Sequence, residues 1–264
     1  MNLQLQDKTA FISGSTAGIG LAIAEGLLRE NATVIINGRT KEAVDKAIGV
    51  LQQSNPHAKI SGIAADFGKK EDVERLLDQL PAVDILVNNV GIFEPKAFVD
   101  IPDEDWFRFF DVNVMSGVRL SRKVFPEMLK KNWGRILFVS SESGVFIPEE
   151  MIHYGMTKTA QIAVSRGLAE LTKGTNVTVN TILPGPTKSR GVGEFVNALA
   201  EQEGVGLAEI EKQFFQQFRP TSLIRRFATP DEVANMAVYL ASPLASVTNG
   251  AAIRVEGGLV RSAI

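Results

Sequence analysis

Short β-branched apolar runs alternate with helical stretches along the whole chain, and that alternation narrows the fold more than any other feature. TAFIS at 9–13, TVIIN at 33–37, KISGIAA at 59–65, VDILVNN at 83–89, GRILFVS at 134–140, NVTVNTIL at 176–183 and AAIRV at 251–255 each read as a strand. Helices are predicted over about 18–30, from 41, from 70, over 102–131, over about 153–173 and from near 231. Runs this apolar suit parallel strands covered on both faces. Parallel neighbours need right-handed helical crossovers, so the pattern predicts an α/β protein with a doubly wound parallel sheet.

A chain of 264 residues can bury a full core. It has no linker, repeat or low-complexity stretch, so 1–264 reads as one domain. Only 185–220 breaks the alternation. A long segment after a strand end reads either as a substrate lid or as a surface excursion. With no cysteine, disulfides, thiolate nucleophiles and Cys-ligated metals are excluded. The two histidines, His57 and His153, argue against a histidine-rich metal site, so no metal is expected. A formal net charge of −2 gives no electrostatic reason for a nucleic-acid or anionic-membrane partner. The opening MNLQLQDKTAFISG lacks a basic region followed by an apolar stretch, and no run approaches the ~18 apolar residues of a membrane span. The expectation is a cytoplasmic protein.

The first strand runs into Ser13-Gly14-Ser15-Thr16-Ala17-Gly18-Ile19-Gly20, which opens a helix. Glycines permit a tight turn and let backbone N–H groups approach a pyrophosphate, and the helix N-terminus adds partial positive charge. The spacing is G-x-x-x-G-x-G; its place after the first strand of a β-α series points to a dinucleotide. The second strand ends in Asn37-Gly38-Arg39-Thr40, with no acid until Glu42. An acid there would bind the ribose 2′-OH of NAD, whereas Arg39 suits a 2′-phosphate. The cofactor expected is NADP in preference to NAD. A second pattern is HYGMTK at 153–158, where Tyr154 and Lys158 fall one helical turn apart on one face.

Taken together, these pieces resemble the short-chain dehydrogenase/reductase family, and the resemblance covers essentially the whole chain. Ser13 to Gly20 matches the TGxxxGIG turn with Ser for the first Thr, and Asn88-Asn89-Val90-Gly91 resembles NNAG with Val for Ala. Asn113 falls where the family carries a helix asparagine, and Ser141 ends the fifth strand as its serine does. Tyr154 to Lys158 is YxxxK, thirteen residues after Ser141. Pro184-Gly185, then Arg226, Pro230 and Glu232, then Val255-Glu256-Gly257-Gly258 resemble the PG, R…PxE and VDGG segments. The resemblance implies a Rossmann-type fold, a homotetramer, and hydride transfer between nicotinamide and a carbonyl or secondary alcohol.

It also implies roles. Tyr154 would be the general acid/base, Ser141 would hydrogen-bond the reacting oxygen, and Asn113 would hold a water linking Lys158 to solvent. Lys158 would hold the nicotinamide ribose and lower the Tyr154 pKa: an ammonium ~4 Å away contributes up to about 4 kcal/mol at an effective dielectric of about 20. Gly14, Ser15, Thr16, Ala17, Gly18, Ile19 and Gly20 would surround the pyrophosphate. Asp66 and Phe67 would flank the adenine, with helix capping a compatible role for Asp66. Asn88 would lie under the adenosine ribose, with Gly91 nearby, and Pro184, Gly185 and Thr187 would meet the nicotinamide. The substrate side would include Ser143, Phe146, His153 and residues near 191–195. His153 would bind an acidic substrate group or cap the helix, and the cations of KSRGVGE (188–194) would steer an anion or simply face water. The intact Asn-Ser-Tyr-Lys set favours an oxidoreductase over two alternatives, an epimerase or dehydratase on the same scaffold and a non-catalytic dinucleotide sensor.

Overall fold

The computed structural model describes residues 2–188, 193, 200 and 204–263. Seven parallel strands form one sheet, ordered β3-β2-β1-β4-β5-β6-β7. They are β1 Thr9–Ile12, β2 Thr33–Gly38, β3 Ile60–Ala64, β4 Ile85–Asn88, β5 Gly134–Val139, β6 Val177–Pro184 and β7 Ala252–Val255. Each predicted strand is present. Strands β4, β5 and β6 are buried at every position, polar residues such as Arg135, Thr178 and Asn180 included, while the edge strand β3 exposes Ser61 and Gly62.

Helices cover both faces. The first, α1 Gly18–Arg29, packs with α8 Pro230–Leu240 on one face, where Ile23, Leu27, Val233 and Ala237 join Ile36, Val87 and Leu137 in one apolar cluster. These helices touch so closely that a Cβ on Gly26 would lie 2.7 Å from Val238 Cγ2. The opposite face carries α3 Lys70–Gln79, α5 Ser116–Lys130 and α6 Ile152–Glu170, whose Val73, Leu76, Leu120 and Val124 meet Phe11, Leu86, Ile136 and Phe138. Each such aliphatic side chain contributes roughly 1.5–3 kcal/mol on burial. Helix α2 Lys41–Ser54 lies beyond β2, and Thr40 caps it by accepting from Ala43 N at 3.2 Å.

Two helical expectations change in detail. The segment predicted over 102–131 divides into α4 Asp103–Phe109, a π-helical turn Phe110–Met115 and α5. Such turns re-aim side chains, and this one carries Asn113. Within 185–220 the described residues include α7 Leu207–Gln217, and Thr187 bridges Ala228 in parallel register. The substrate contacts expected near 191–195, and Arg190 of KSRGVGE, fall outside the described residues except for Gly193.

Strand order fixes where a ligand can sit. From β1 the chain moves outward through β2 and β3, then returns to the other side of β1 with β4. The crossovers leaving β1 and β4 therefore diverge, and a crevice opens at the carboxyl ends of these strands.

Candidate active site

The glycine turn lies at this crevice. Gly14 and Gly18 adopt φ of +61° and +56°, the left-handed region where a side chain is strained. Neutral side chains pin the turn from three sides. Gly14 N donates to Asn37 Oδ1 at 3.0 Å, Asn89 Nδ2 donates to Gly14 O at 2.8 Å, and Ser13 Oγ accepts from Asn89 N at 3.0 Å. The Ser15 hydroxyl is used internally, donating to Ile12 O at 2.7 Å and accepting from Asn37 N at 2.9 Å. A Cβ on Gly20 would stand 2.6 Å from Gly14 O, so α1 can start against the turn only with glycine there. Its N-cap, Ala17, supplies no side-chain acceptor, and the first turn holds no acid. The first N–H groups of α1 are thus left for an outside anion, whereas α2 is capped by its own Thr40. Arg39 is exposed where β2 ends and makes no ion pair among the described residues.

Farther along the cleft, Asp66 is half-buried and its Oδ1 accepts from Gly68 N at 2.9 Å. That carboxylate shapes its own turn, while Lys69 is the N-cap of α3. Two residues expected to meet the cofactor turn their side chains into the protein. Phe67 is buried within the cluster of Val73 and Leu76. Asn88 turns toward α5, donating to Ser121 Oγ at 3.1 Å, and its buried Oδ1 has no partner among the described residues.

Asn113, Ser141, Tyr154 and Lys158 meet around one cleft. Tyr154 stands in the first turn of α6, edge-on to Phe93 with ring centroids 6.3 Å apart. Lys158 follows one turn later, with Nζ 5.5 Å from the phenol centroid. Its ammonium donates to Val139 O at 3.1 Å and Gln161 Oε1 at 3.2 Å. Gln161 Nε2 in turn donates to the Asn113 backbone carbonyl at 2.6 Å. The Asn113 side chain holds the loop after β4, accepting from Ile92 N at 2.7 Å and donating to Thr157 Oγ1 at 3.0 Å. Gly91 approaches this group so closely that its Cβ would lie 3.2 Å from Lys158 Nζ. Gln161 carries no motif; its helical spacing from Lys158 was the available signal.

Electrostatics correct one expectation. Burial pushes the Tyr154 phenol up rather than down, with the Glu142 charge adding to the rise and Ser141 and Arg219 opposing it. Burial also lowers the Lys158 ammonium to about 8, against a smaller upward pull from Glu142.

A cavity of about 340 Å³ extends from Ile19 at the turn, past Ser141, Ser143 and Tyr154, to Pro184, Gly185 and Thr187. Its far wall is apolar, formed by Phe93, Pro95, Met151, Phe214, Phe218 and Phe227. Three charged residues also line it: Glu142, Glu150 and Arg219. Sequence reading missed all three, since 77 residues separate Glu142 from Arg219. Two expected substrate residues lie outside it. His153 is fully buried against Phe109, 4.1 Å between ring centroids, and faces Trp106. One residue before Tyr154, it is rotated about 100° round the helix toward α4. Phe146 projects to solvent at 49% exposure.

Among the described residues, no group of His, Asp or Glu could hold a metal, and no helix is long and apolar enough to cross a membrane. The family model for short chain dehydrogenase matches residues 8–199. The uncharacterized oxidoreductase YvaG of Bacillus subtilis (strain 168) is 50% identical over 262 residues, 99% of each chain. The D-beta-hydroxybutyrate dehydrogenase of Cupriavidus necator is 32% identical, with 97% of this chain and 99% of its own covered. Among solved structures, the L-sorbose reductase of Gluconobacter frateurii complexed with NADPH and L-sorbose superposes with a TM-score of 0.91 at 30% identity, covering 99% of this chain and 100% of that one.

Proposed function

We propose that this chain, which belongs to the short-chain dehydrogenase/reductase family, is an NADP-dependent reductase of a small carbonyl compound with Tyr154 as its proton donor. The carrying observation is that Ser141 and Tyr154 line one cavity with Ile19 of the uncapped glycine turn. The residues present fit a dinucleotide. The turn leaves free N–H groups for a pyrophosphate, and unpaired Arg39 suits a 2′-phosphate. Pro184, Gly185 and Thr187 border the same cavity, where the nicotinamide would lie. Bound there, NADPH supplies the hydride.

The chain's own groups do the rest. Tyr154, kept protonated by its surroundings, donates the phenol proton to the carbonyl oxygen. Ser141 Oγ turns its hydrogen to the same oxygen and stabilises the charge that develops there. Lys158 holds its ammonium beneath the phenol, and Gln161 ties it to Asn113. Gly91 leaves room for that ammonium. The oxidoreductase names of the relatives and the NADPH of the sorbose reductase support this chemistry over an epimerase, dehydratase or sensor.

The lid role of 185–220 belongs to this proposal, supported by Phe214 of α7 and Phe218 at its C-cap in the cavity wall. So do a cytoplasmic location and assembly as a homotetramer, the assembly supported by Phe107 and Phe110, which stand exposed near α4 and α5 at 74% and 41%. Loss of nicotinamide absorbance is the test, with NADPH or NADH offered against ketones, keto-acyl thioesters and sugars. Oxidation of one equivalent per carbonyl reduced, faster with NADPH, is expected. No oxidation with any carbonyl by either cofactor would contradict the reading.

A further inference from the structure

The carboxylate next to the reactive serine is not used by the mechanism. Glu142 opens the short turn after β5 and is 4% exposed. Its Oε1 accepts from Arg219 Nε at 3.2 Å, and its Oε2 accepts from Ser141 Oγ at 2.5 Å. Arg219 is as deeply buried, and its Nη1 donates to Glu150 Oε1 at 3.1 Å and Phe218 O at 2.8 Å. Burying a carboxylate is costly unless it is paired, and Arg219 supplies the pair. An oxidoreductase needing only Ser141, Tyr154 and an apolar wall has no use for this charge beside its reacting oxygen.

Resting on the hydride-transfer reading, we propose that Glu142 is a specificity residue that accepts a hydrogen bond from a hydroxyl on the carbon next to the reacting carbonyl, so that the substrates are neutral α-hydroxy ketones with an apolar substituent.

Three observations converge on this class. First, Ser141 has one hydroxyl hydrogen, and it points at Glu142 Oε2. Once that hydrogen turns to a substrate carbonyl, Glu142 Oε2 loses its donor inside a largely apolar cavity. A neighbouring hydroxyl on the substrate restores it. The two oxygens of an α-hydroxy ketone sit on adjacent carbons, a separation matching the pair formed by Ser141 Oγ and Glu142 Oε2. Second, Arg219 is shared by two carboxylates, Glu142 and Glu150, so the charged corner is net negative and repels an anionic substrate. Third, among the described residues the rest of the wall is mostly aromatic and aliphatic, with only the hydroxyls of Ser140, Ser143 and Thr187 beside it, which takes an apolar substituent rather than a second charge. In the reaction the carbonyl carbon receives hydride from NADPH, the C=O π bond opens, and the oxygen takes the Tyr154 proton. The products are a vicinal diol and NADP.

The test compares four ligands with NADPH and the intact protein: phenylacetylcarbinol, its O-methyl ether, phenylacetone and phenylpyruvate. The ether keeps the oxygen but not its hydrogen, and phenylacetone lacks both. Expected is a kcat/KM for the carbinol at least about thirtyfold above each of the other three, since a site built to pair with a hydroxyl rejects analogues lacking it. In Glu142→Gln the preference of carbinol over ether collapses to within about threefold, because the amide has lost the charge that holds the hydroxyl. An ether or phenylacetone reduced as well as the carbinol would overturn the proposal while leaving hydride transfer standing. So would full carbinol preference in a folded Glu142→Gln. Failure to oxidise NADPH with all four would overturn the hydride-transfer reading itself. Should the variant not fold, the four-ligand comparison on the unaltered protein decides the matter.

Discussion

The two ends of the cleft are held by different physics. At the dinucleotide end, the turn from Ser13 to Gly20 is fixed by neutral hydrogen bonds from Asn37, Asn89 and Ser13, and by backbone conformations that glycine tolerates. At the other end, the corner beside Ser141 is fixed by buried charge, with Arg219 between Glu142 and Glu150. On the proposed reading the first end takes a constant phosphate group through backbone, so its residues are small and local. The second must recognise a variable ligand, and it draws on a segment far along the chain. Removing one member should therefore hurt stability most at the charged end and cofactor affinity most at the turn.

Arg219→Leu is the harshest way to break this contrast. It strands two carboxylates, one of them buried, and should cost about 3–5 kcal/mol of unfolding free energy. Denaturant titration reads it, and a loss under about 1 kcal/mol would mean that the pair is dispensable. Gly20→Ala attacks the other end. Its Cβ would press on Gly14 O and Ser15 Cα, 2.6 and 2.9 Å away, and the backbone must shift. A loss of about 1–3 kcal/mol is expected, with weaker NADPH binding by fluorescence titration. Unchanged binding would show that the turn tolerates a side chain. A smaller effect is expected for Arg39→Asp, which should lower NADPH preference over NADH by about 10–100-fold in kcat/KM with stability untouched. An unchanged ratio would assign the phosphate to another residue.

A further effect, read along pH, concerns Lys158. Its ordinary pKa is 10.5, and burial brings it to about 8. Between those values the unfolded chain keeps a proton that the folded protein has released, so this group makes stability rise as pH climbs from about 8 to about 10.5. Lys158→Met should show a shallower rise across that window than the unaltered protein in parallel denaturant titrations. Identical slopes would mean that the lysine titrates as an exposed one.

This division also explains what the sequence disclosed. The strands were legible because both faces are covered, which makes β4, β5 and β6 rich in apolar and β-branched residues. Tyr154 and Lys158 were legible as a helical pair, and Gly14 to Gly20 as a turn, because both depend on local spacing. The inward orientation of the Phe67, Asn88 and His153 side chains was not legible, because a type of residue at a position does not say which way it faces. For His153 the helical period held the answer, since α6 cannot turn Tyr154 and its neighbour to the same side. Glu142 and Arg219 were invisible because only the fold brings them together, and Gln161 because nothing marks an amide as a clamp until its partners are in place. The burial that pushes the Tyr154 phenol up was likewise not legible, since it depends on what the fold packs around the ring.

The most direct test of the central claim is to measure NADPH affinity and single-turnover carbonyl reduction together on Tyr154→Phe. A proton donor that contributes little to binding predicts NADPH affinity within about threefold of the unaltered protein and a reduction rate lower by about 10²–10⁴. A reduction rate that survives the loss of the phenol would contradict it.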